Sequence, residues 1–243
     1  MQSKRQRLAI SRQPRIVVVT GSDTAVGKTM LTALLTQQLR ADGINAVALK
    51  PLCSGGREDA ETLQVASDGA LTMNEVNPWH FRVALAPVLA ARRAGRRVNL
   101  NEVVAHVRAA AKRFELVLVE GAGGLLSPLG ERFDVRDLIS ELHALPIIVV
   151  PNRLGAVNQA RLLLEAIPQP ARRQAQLVLV EQNAPDTAAR SNALLLKEWS
   201  PGIAVTLMPW VEVKDGPALN RRVATVLKPL VSALRARRAW ERV

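Results

Sequence analysis

The chain has 243 residues, 48% of them hydrophobic, enough to build a full core, and a net charge of +12. No apolar run reaches the ~18–20 residues of a membrane-spanning helix, and Cys53 is the only cysteine, which excludes an intramolecular disulfide. The start is basic but no apolar segment follows it, so no secretory signal is expected and a cytoplasmic location is the simplest expectation.

Residues 1–14 lack periodicity and are expected to form a disordered basic extension; residues 15–243 are expected to form one domain. The first predicted strand, 16–20, is a β-branched run, and it feeds Gly21-Ser22-Asp23-Thr24-Ala25-Val26-Gly27-Lys28-Thr29 and a predicted helix over 28–41. Strand, glycine-bearing loop and helix together make a phosphate cradle. Backbone N–H groups and the helix N-terminus face the anion, a lysine adds mobile charge, and the following hydroxyl can bind Mg²⁺. Five residues, 22–26, separate the two glycines here.

The second predicted strand, 45–49, runs into Lys50-Pro51-Leu52-Cys53-Ser54-Gly55-Gly56. Lys50 thus stands at a strand's carboxyl end, where a cation can neutralise charge on a transferring phosphoryl group or serve only as a loop lysine. Cys53 reads as a small buried hydrophobe. The next predicted helix, 58–67, opens with Glu58, Asp59 and Glu61, whose spacing favours a capping role over a metal ligand.

A helix predicted at 99–113 leads to a strand at 115–119 and then to Glu120-Gly121-Ala122-Gly123-Gly124. An acid closing a hydrophobic strand suits a Mg²⁺ site, and the glycines allow close approach to phosphate. Asp137, at the start of a helix predicted over 135–143, reads first as a helix-start carboxylate.

The strand predicted at 146–151 is followed by a helix at 155–167, whose first amides could receive a carboxylate. The strand at 177–181 runs into Glu181-Gln182-Asn183-Ala184, where Asn183 could read an adenine edge or only form a turn. A helix at 187–198, a strand at 203–207 closed by Met208-Pro209-Trp210, and an amphipathic helix at 217–238 complete the series. The near-continuous apolar strands alternating with helices specify a doubly wound α/β fold, with a mostly parallel sheet, helices on both faces and a P-loop. Ligands in such folds sit at the carboxyl ends of the strands. His80, His106 and His143 are scattered and form no metal-ligand pair.

The basic excess, including Arg92, Arg93, Arg96 and Arg97, reads as solvated surface, because aromatic platforms for nucleic acid are scarce: no tyrosine and three phenylalanines. A partitioning-type ATPase is the alternative that this charge would suit, although the extra lysine such proteins carry near the loop start is missing from Gly21-Ser22-Asp23-Thr24. Another P-loop ATPase and a catalytically weakened homologue are further alternatives.

Five blocks together resemble dethiobiotin synthetase: Val19 to Thr29, Lys50-Pro51 with Ser54-Gly55, Asp59-Ala60, Val119 to Gly124 with Pro128-Leu129, and Leu154-Gly155-Ala156-Val157-Asn158. Asn77-Pro78 and Ala86-Pro87 match the family's middle segment. The resemblance implies an ATP- and Mg²⁺-dependent ligase that carboxylates 7,8-diaminopelargonate with CO₂ and closes the cyclic urea, through a carbamate and a carbamic-phosphoric anhydride. It implies that Ala25, Val26, Gly27, Lys28, Thr29 and Met30 wrap the ATP phosphates together with Gly121, Ala122 and Gly123. Thr29, Asp59 and Glu120 would hold Mg²⁺, and Lys28 and Lys50 would be the catalytic cations. Thr24 and Ser54 would contact the substrate; Asn183, Ala184, Pro209, Trp210 and Val211 would hold the adenine. Gly155, Ala156, Val157 and Asn158 would take the substrate carboxylate across a homodimer interface. The family often has glutamate where this chain has Ala25, and small or apolar residues where it has Glu181-Gln182.

Overall fold

The computed structural model describes residues 15–211 and 217–236, the side chains of 217–222 excepted. Among the described residues, eight strands and ten α-helices follow in chain order. They begin β1 (Arg15–Gly21), α1 (Lys28–Ala41), β2 (Ala46–Leu49), β3 (Leu52–Ser54), α2 (Glu58–Ala66), α3 (Met73–Val76), β4 (Trp79–Phe81), α4 (Pro87–Arg93) and α5 (Leu100–Ala111). They continue with β5 (Leu116–Glu120), α6 (Val135–Glu141), β6 (Leu145–Pro151), α7 (Ala156–Ala166), α8 (Gln169–Arg172) and β7 (Gln176–Val180). After a 3₁₀ turn (Thr187–Arg190) come α9 (Asn192–Trp199), β8 (Ala204–Met208) and α10 (Pro217–Arg235).

Six strands form one parallel sheet in the order β2-β5-β1-β6-β7-β8. Helices α1, α2 and α10 pack on one face and α5, α6, α7 and α9 on the other. Covered on both sides, β5 and β6 are buried along their whole length, which is why their sequences run apolar without alternation. Helix α1 buries Leu31, Leu35 and Leu39 on its sheet-facing stripe, each contributing roughly 1.5–3 kcal/mol. Its buried Thr32 and Thr36 hydroxyls donate to the carbonyls of Lys28 and Thr32, at 2.8 and 2.7 Å, so neither costs an unmet hydrogen bond.

The register sets the site. Val19 lies opposite Glu120 and Gly21 opposite Val149, so the ends of β1, β5 and β6 share one edge of the sheet. Central β1 is the point from which the order runs both ways, and the crevice opens above it.

The strand and helix spans agree with expectation to within a residue or two at most ends. The helix expected over 187–198 instead divides into the 3₁₀ turn and α9, because the Asp186 side chain caps the turn and Ser191 interrupts it. The two-stranded parallel sheet of β3 and β4 was not anticipated, nor were α3, α4 and α8. The last helix ends at Arg235, with Ala236 past it, and residues 237–238 of the expected span lie outside the described residues, as does the basic segment 1–14. No helix among the described residues is long and apolar enough to cross a membrane.

Candidate active site

Gly27 ends the phosphate loop in the left-handed region, φ 97°, and a Cβ there would stand 3.3 Å from a Val180 methyl. The left-handed backbone favours glycine, and a larger residue would also need Val180 to yield. Ala25 is also left-handed, φ 57°, a conformation that costs an L-residue roughly 1–2 kcal/mol. The loop is tied to the next one by the Leu125 N–H, which donates to the Gly21 carbonyl at 3.1 Å.

Lys28 opens α1 and is buried; its ammonium donates to the Asp23 carbonyl at 2.6 Å. Burial pushes its pKa down to about 8, against the pull of Glu120. The next residue, Thr29, donates its hydroxyl to Glu120 Oε1 at 2.8 Å.

Lys50 follows β2 and is 4% exposed. Its ammonium donates to Glu120 Oε1 at 2.5 Å and to Asp59 Oδ2 at 2.6 Å. Burial opposes the charge, but the carboxylates of Glu120 and Asp59 outweigh it and hold the lysine above its ordinary range. The buried amide of Asn77 donates to the Lys50 carbonyl at 2.6 Å and to that of Pro51 at 3.3 Å. Asn77 also accepts from Arg57, the residue before α2, at its side-chain oxygen (3.1 Å) and at its carbonyl (2.8 Å).

Glu120 closes β5 and is 1% exposed. Burial raises its carboxyl pKa, opposed by Lys50. Oε1 accepts from Thr29 and Lys50, while the buried Oε2 has no hydrogen-bond partner among the described residues. Asp59 lies in the first turn of α2 and its pKa is lowered: partial burial acts against this, and Lys50 prevails. The capping role that spacing favoured for this acidic run is not what Asp59 does, because its carboxylate turns back onto Lys50. Asp137 does act as a helix-start carboxylate, accepting from the Asp134 N–H at 2.8 Å.

Thr29, Asp59 and Glu120 thus present one hydroxyl and two carboxylates around one ammonium, with one buried carboxylate oxygen unsatisfied. Hard oxygens of this number suit a Mg²⁺ that keeps water and phosphate oxygens in its shell. Among the described residues no three His, Cys, Asp or Glu side chains converge as a complete metal cage. His80 and His106 instead meet the carbonyls of Gly55 and Glu75, at 2.9 and 2.7 Å. Cys53 is buried, its thiol donating to the Gly56 carbonyl at 2.9 Å and its pKa raised by burial.

A cavity of about 670 Å³ holds Lys28, Thr29, Lys50, Asp59, Glu120 and Gly123. A second, of about 280 Å³, continues along the loop between Val26, Arg153, Gln182, Pro209 and Trp210. Thr24, Ala25, Gly27, Met30 and Val211 line both. The expected phosphate, cation and metal residues are therefore brought together, with Pro209, Trp210 and Val211 beside them. Gly121 is buried, its N–H on the Val19 carbonyl at 2.9 Å, and Ala122 is half-buried.

Asn183 and Ala184 are exposed and line neither cavity; Gln182 faces the smaller one, its amide donating to the Val180 carbonyl at 2.9 Å. Strand β7 ends at Val180, one residue earlier than expected, and the side chain reaching the crevice moves by one with it. Arg153 was not anticipated either; its place just past β6 was the available signal. Ser54 is half-buried and donates to the Leu85 carbonyl at 2.5 Å. Gly155 caps α7 with φ 90°; it and Ala156, Val157 and Asn158 line neither cavity of this chain.

A family model described as an AAA domain matches residues 15–212. The chain is 40% identical over 203 residues to the ATP-dependent dethiobiotin synthetase BioD of Anaeromyxobacter dehalogenans, covering 81% of this chain and 90% of that protein. It is 36% identical over 189 residues to the protein of that name from Akkermansia muciniphila, covering 76% and 88%. Among solved structures, the signal recognition particle receptor FtsY of Elizabethkingia anophelis superposes with a TM-score of 0.53 at 14% identity, over 92% of this chain and 66% of that one. The hydrogenase maturation factor HypB of Archaeoglobus fulgidus superposes with a TM-score of 0.51 at 13% identity, over 90% and 91%. These last two likenesses speak for the P-loop α/β fold alone. The sequence relatives go further: the chain belongs to the dethiobiotin synthetase family.

Proposed function

We propose that this chain uses ATP and CO₂ to close 7,8-diaminopelargonate into the cyclic urea dethiobiotin. The observation that carries the reading is the cluster of Lys28, Thr29, Lys50, Asp59 and Glu120 at the carboxyl edge of the sheet, in a chain of this family.

The chemistry joins anions to one another, and the residues answer that need. One amine of the substrate attacks CO₂ and sheds a proton, giving a carbamate. A carbamate oxygen attacks the γ-phosphorus of ATP; the bond to the β-phosphate oxygen breaks, ADP leaves and a carbamic-phosphoric anhydride remains. The second amine attacks its carbonyl carbon, phosphate leaves with the C–O electron pair, a proton is lost and the ring is closed.

Lys28 and Lys50 neutralise the approach of carbamate to polyphosphate, and Lys50 is kept charged for this by its two carboxylates. The amides of residues 25–30 cradle the phosphates. Bound Mg²⁺, held by Thr29, Asp59 and Glu120, would supply Lewis-acid neutralisation of the phosphate oxygens. Gln182, Pro209 and Trp210 wall the base, and Arg153 adds a cation beside it. Positioning of the reactants in a near-attack geometry can supply up to ~7–11 kcal/mol of barrier lowering. The carboxylate of the substrate is received at Gly155–Asn158 of a second copy, so the working form is a homodimer, and its location is the cytoplasm.

Purified protein given ATP, Mg²⁺, bicarbonate and diaminopelargonate is expected to release dethiobiotin, detected by mass spectrometry, with one ADP for each product. Absence of product at saturating substrates overturns the reading.

A further inference from the structure

The loop after β6 lies between this chain's base-side cavity and the first turn of α7. On one side Pro151 and Arg153 line the base-side cavity; on the other, Leu154 and Gly155 lead into the first turn of α7. Three side chains tie this loop to the segment that follows β7, and none of the three lines either cavity.

Asn152 is 1% exposed. Its amide donates to the Ala189 carbonyl at 3.0 Å, and its side-chain oxygen accepts from Asn192 at 2.9 Å. Asn192, 4% exposed, divides its amide between that oxygen and the Arg153 carbonyl at 3.0 Å. The same Arg153 carbonyl accepts the Ala156 N–H at 3.0 Å, closing the turn that leads into α7. Asp186 is exposed, yet its two oxygens take the Leu154 N–H at 2.7 Å and the Ala189 N–H at 3.0 Å. The tie ends in the core, because α9 is anchored by the fully buried Leu196.

Satisfying buried polar groups explains why two inward-facing asparagines would pair. It does not explain Asp186, which has water on hand and instead grips an amide of another loop. We propose that Asn152, Asp186 and Asn192 are positioning residues: they fix the first turn of α7, which receives the carboxylate for the second copy's site, in register with the segment carrying Gln182, which walls the base in this chain's own site. The placement of the carboxylate at α7 rests on the functional reading above; the tie itself does not.

The three residues act on different ends. Within the loop after β6, Asp186 holds only the Leu154 amide, on the α7 side, and its other oxygen caps the 3₁₀ turn. Asn192 holds Arg153 as well, and so governs both. Asp186→Ala is therefore expected to raise the KM for diaminopelargonate about tenfold, with the KM for ATP within about twofold of wild type. Asp186→Asn, which keeps one acceptor, should lie between the two. Asn192→Ala should raise both KM values. Hydrogen exchange of the Leu154, Ala156 and Val157 amides should quicken in Asp186→Ala, while the amides of β1 and α1 keep their protection.

An unchanged substrate KM in Asp186→Ala overturns the proposal. So do unaltered exchange at those three amides, or an equal rise of both KM values with a lowered thermal midpoint, which would mark Asp186 as a structural support alone. The exchange arm needs no turnover: wild type that makes no dethiobiotin removes the functional reading, while the amides still decide whether the tie holds α7.

Discussion

The ammonium of Lys50 and the carboxylate of Glu120 meet at 2.5 Å with both side chains out of water, 5% and 0% exposed. Breaking one side of such a pair costs about 3–5 kcal/mol, because the partner is left charged and buried. Lys50→Met should therefore lower the unfolding free energy by about that much and reduce turnover at least a hundredfold, with nucleotide affinity within about threefold. Adding Glu120→Gln should return much of the stability and none of the turnover. Urea unfolding of the single and double variants beside steady-state kinetics checks this, and equal loss of turnover and of nucleotide affinity in Lys50→Met would reassign the lysine to nucleotide binding.

Gly27→Ala should cost about 1–2 kcal/mol for its left-handed backbone alone. The new methyl also stands 3.3 Å from Val180, so the strain falls on the phosphate loop and the residue that packs on it, and nucleotide binding should weaken more than stability does. Calorimetric titration with a non-hydrolysable ATP analogue tests this; unchanged affinity would show that the loop tolerates the strain.

The base end offers a sharp comparison. Gln182→Ala should raise the KM for ATP by about tenfold, the loss of one to two hydrogen bonds, whereas Asn183→Ala should change it by less than about twofold. The reverse order would return base recognition to Asn183.

Away from the site, Glu75 gives a pH signature. The Thr72 N–H, Arg113 and the Thr72 hydroxyl hold its carboxyl down from the ordinary 4.5 to about 2. A folded pKa below the unfolded one stabilises above the unfolded value, and that contribution fades as pH falls through the folded one. Wild type should thus exceed Glu75→Gln in stability by roughly 1 kcal/mol at neutral pH, discounted for solvent screening, and the difference should vanish between pH 4.5 and 2. Thermal midpoints across that range measure it; a constant difference would mean that the cap acts through shape alone.

The sheet was legible in the sequence because strands buried along their whole length, such as β5 and β6, leave unbroken apolar runs. The small β3–β4 pair was not, since three residues each, such as Leu52–Ser54, carry no period. Helix α3 has four residues, and its start signal, the Thr72–Glu75 capping box, was overlooked. Within the site, Lys28 and Thr29 were placed by the glycine loop that leads into α1 and Glu120 by its position at a strand end, whereas Lys50, also at a strand end, stayed open between a site cation and a loop lysine until the resemblance assigned it. Asp59 could not be assigned from its own neighbours, because its partner Lys50 lies across a turn and another strand. Gln182 was passed over for Asn183 because a one-residue error at the end of β7 changes which side chain faces the crevice.

Asn77 donates its side-chain amide to the Lys50 carbonyl and accepts the Arg57 guanidinium on its side-chain oxygen and its own carbonyl, so a residue that touches neither Lys50's ammonium nor Asp59's carboxylate links the strand end of the lysine to the start of α2. Drift at this position would reach the chemistry as surely as drift at the lysine. Sister lineages that exchange the asparagine should also carry altered partners at 57, and reshuffling the active-site charges alone would not repair the loss.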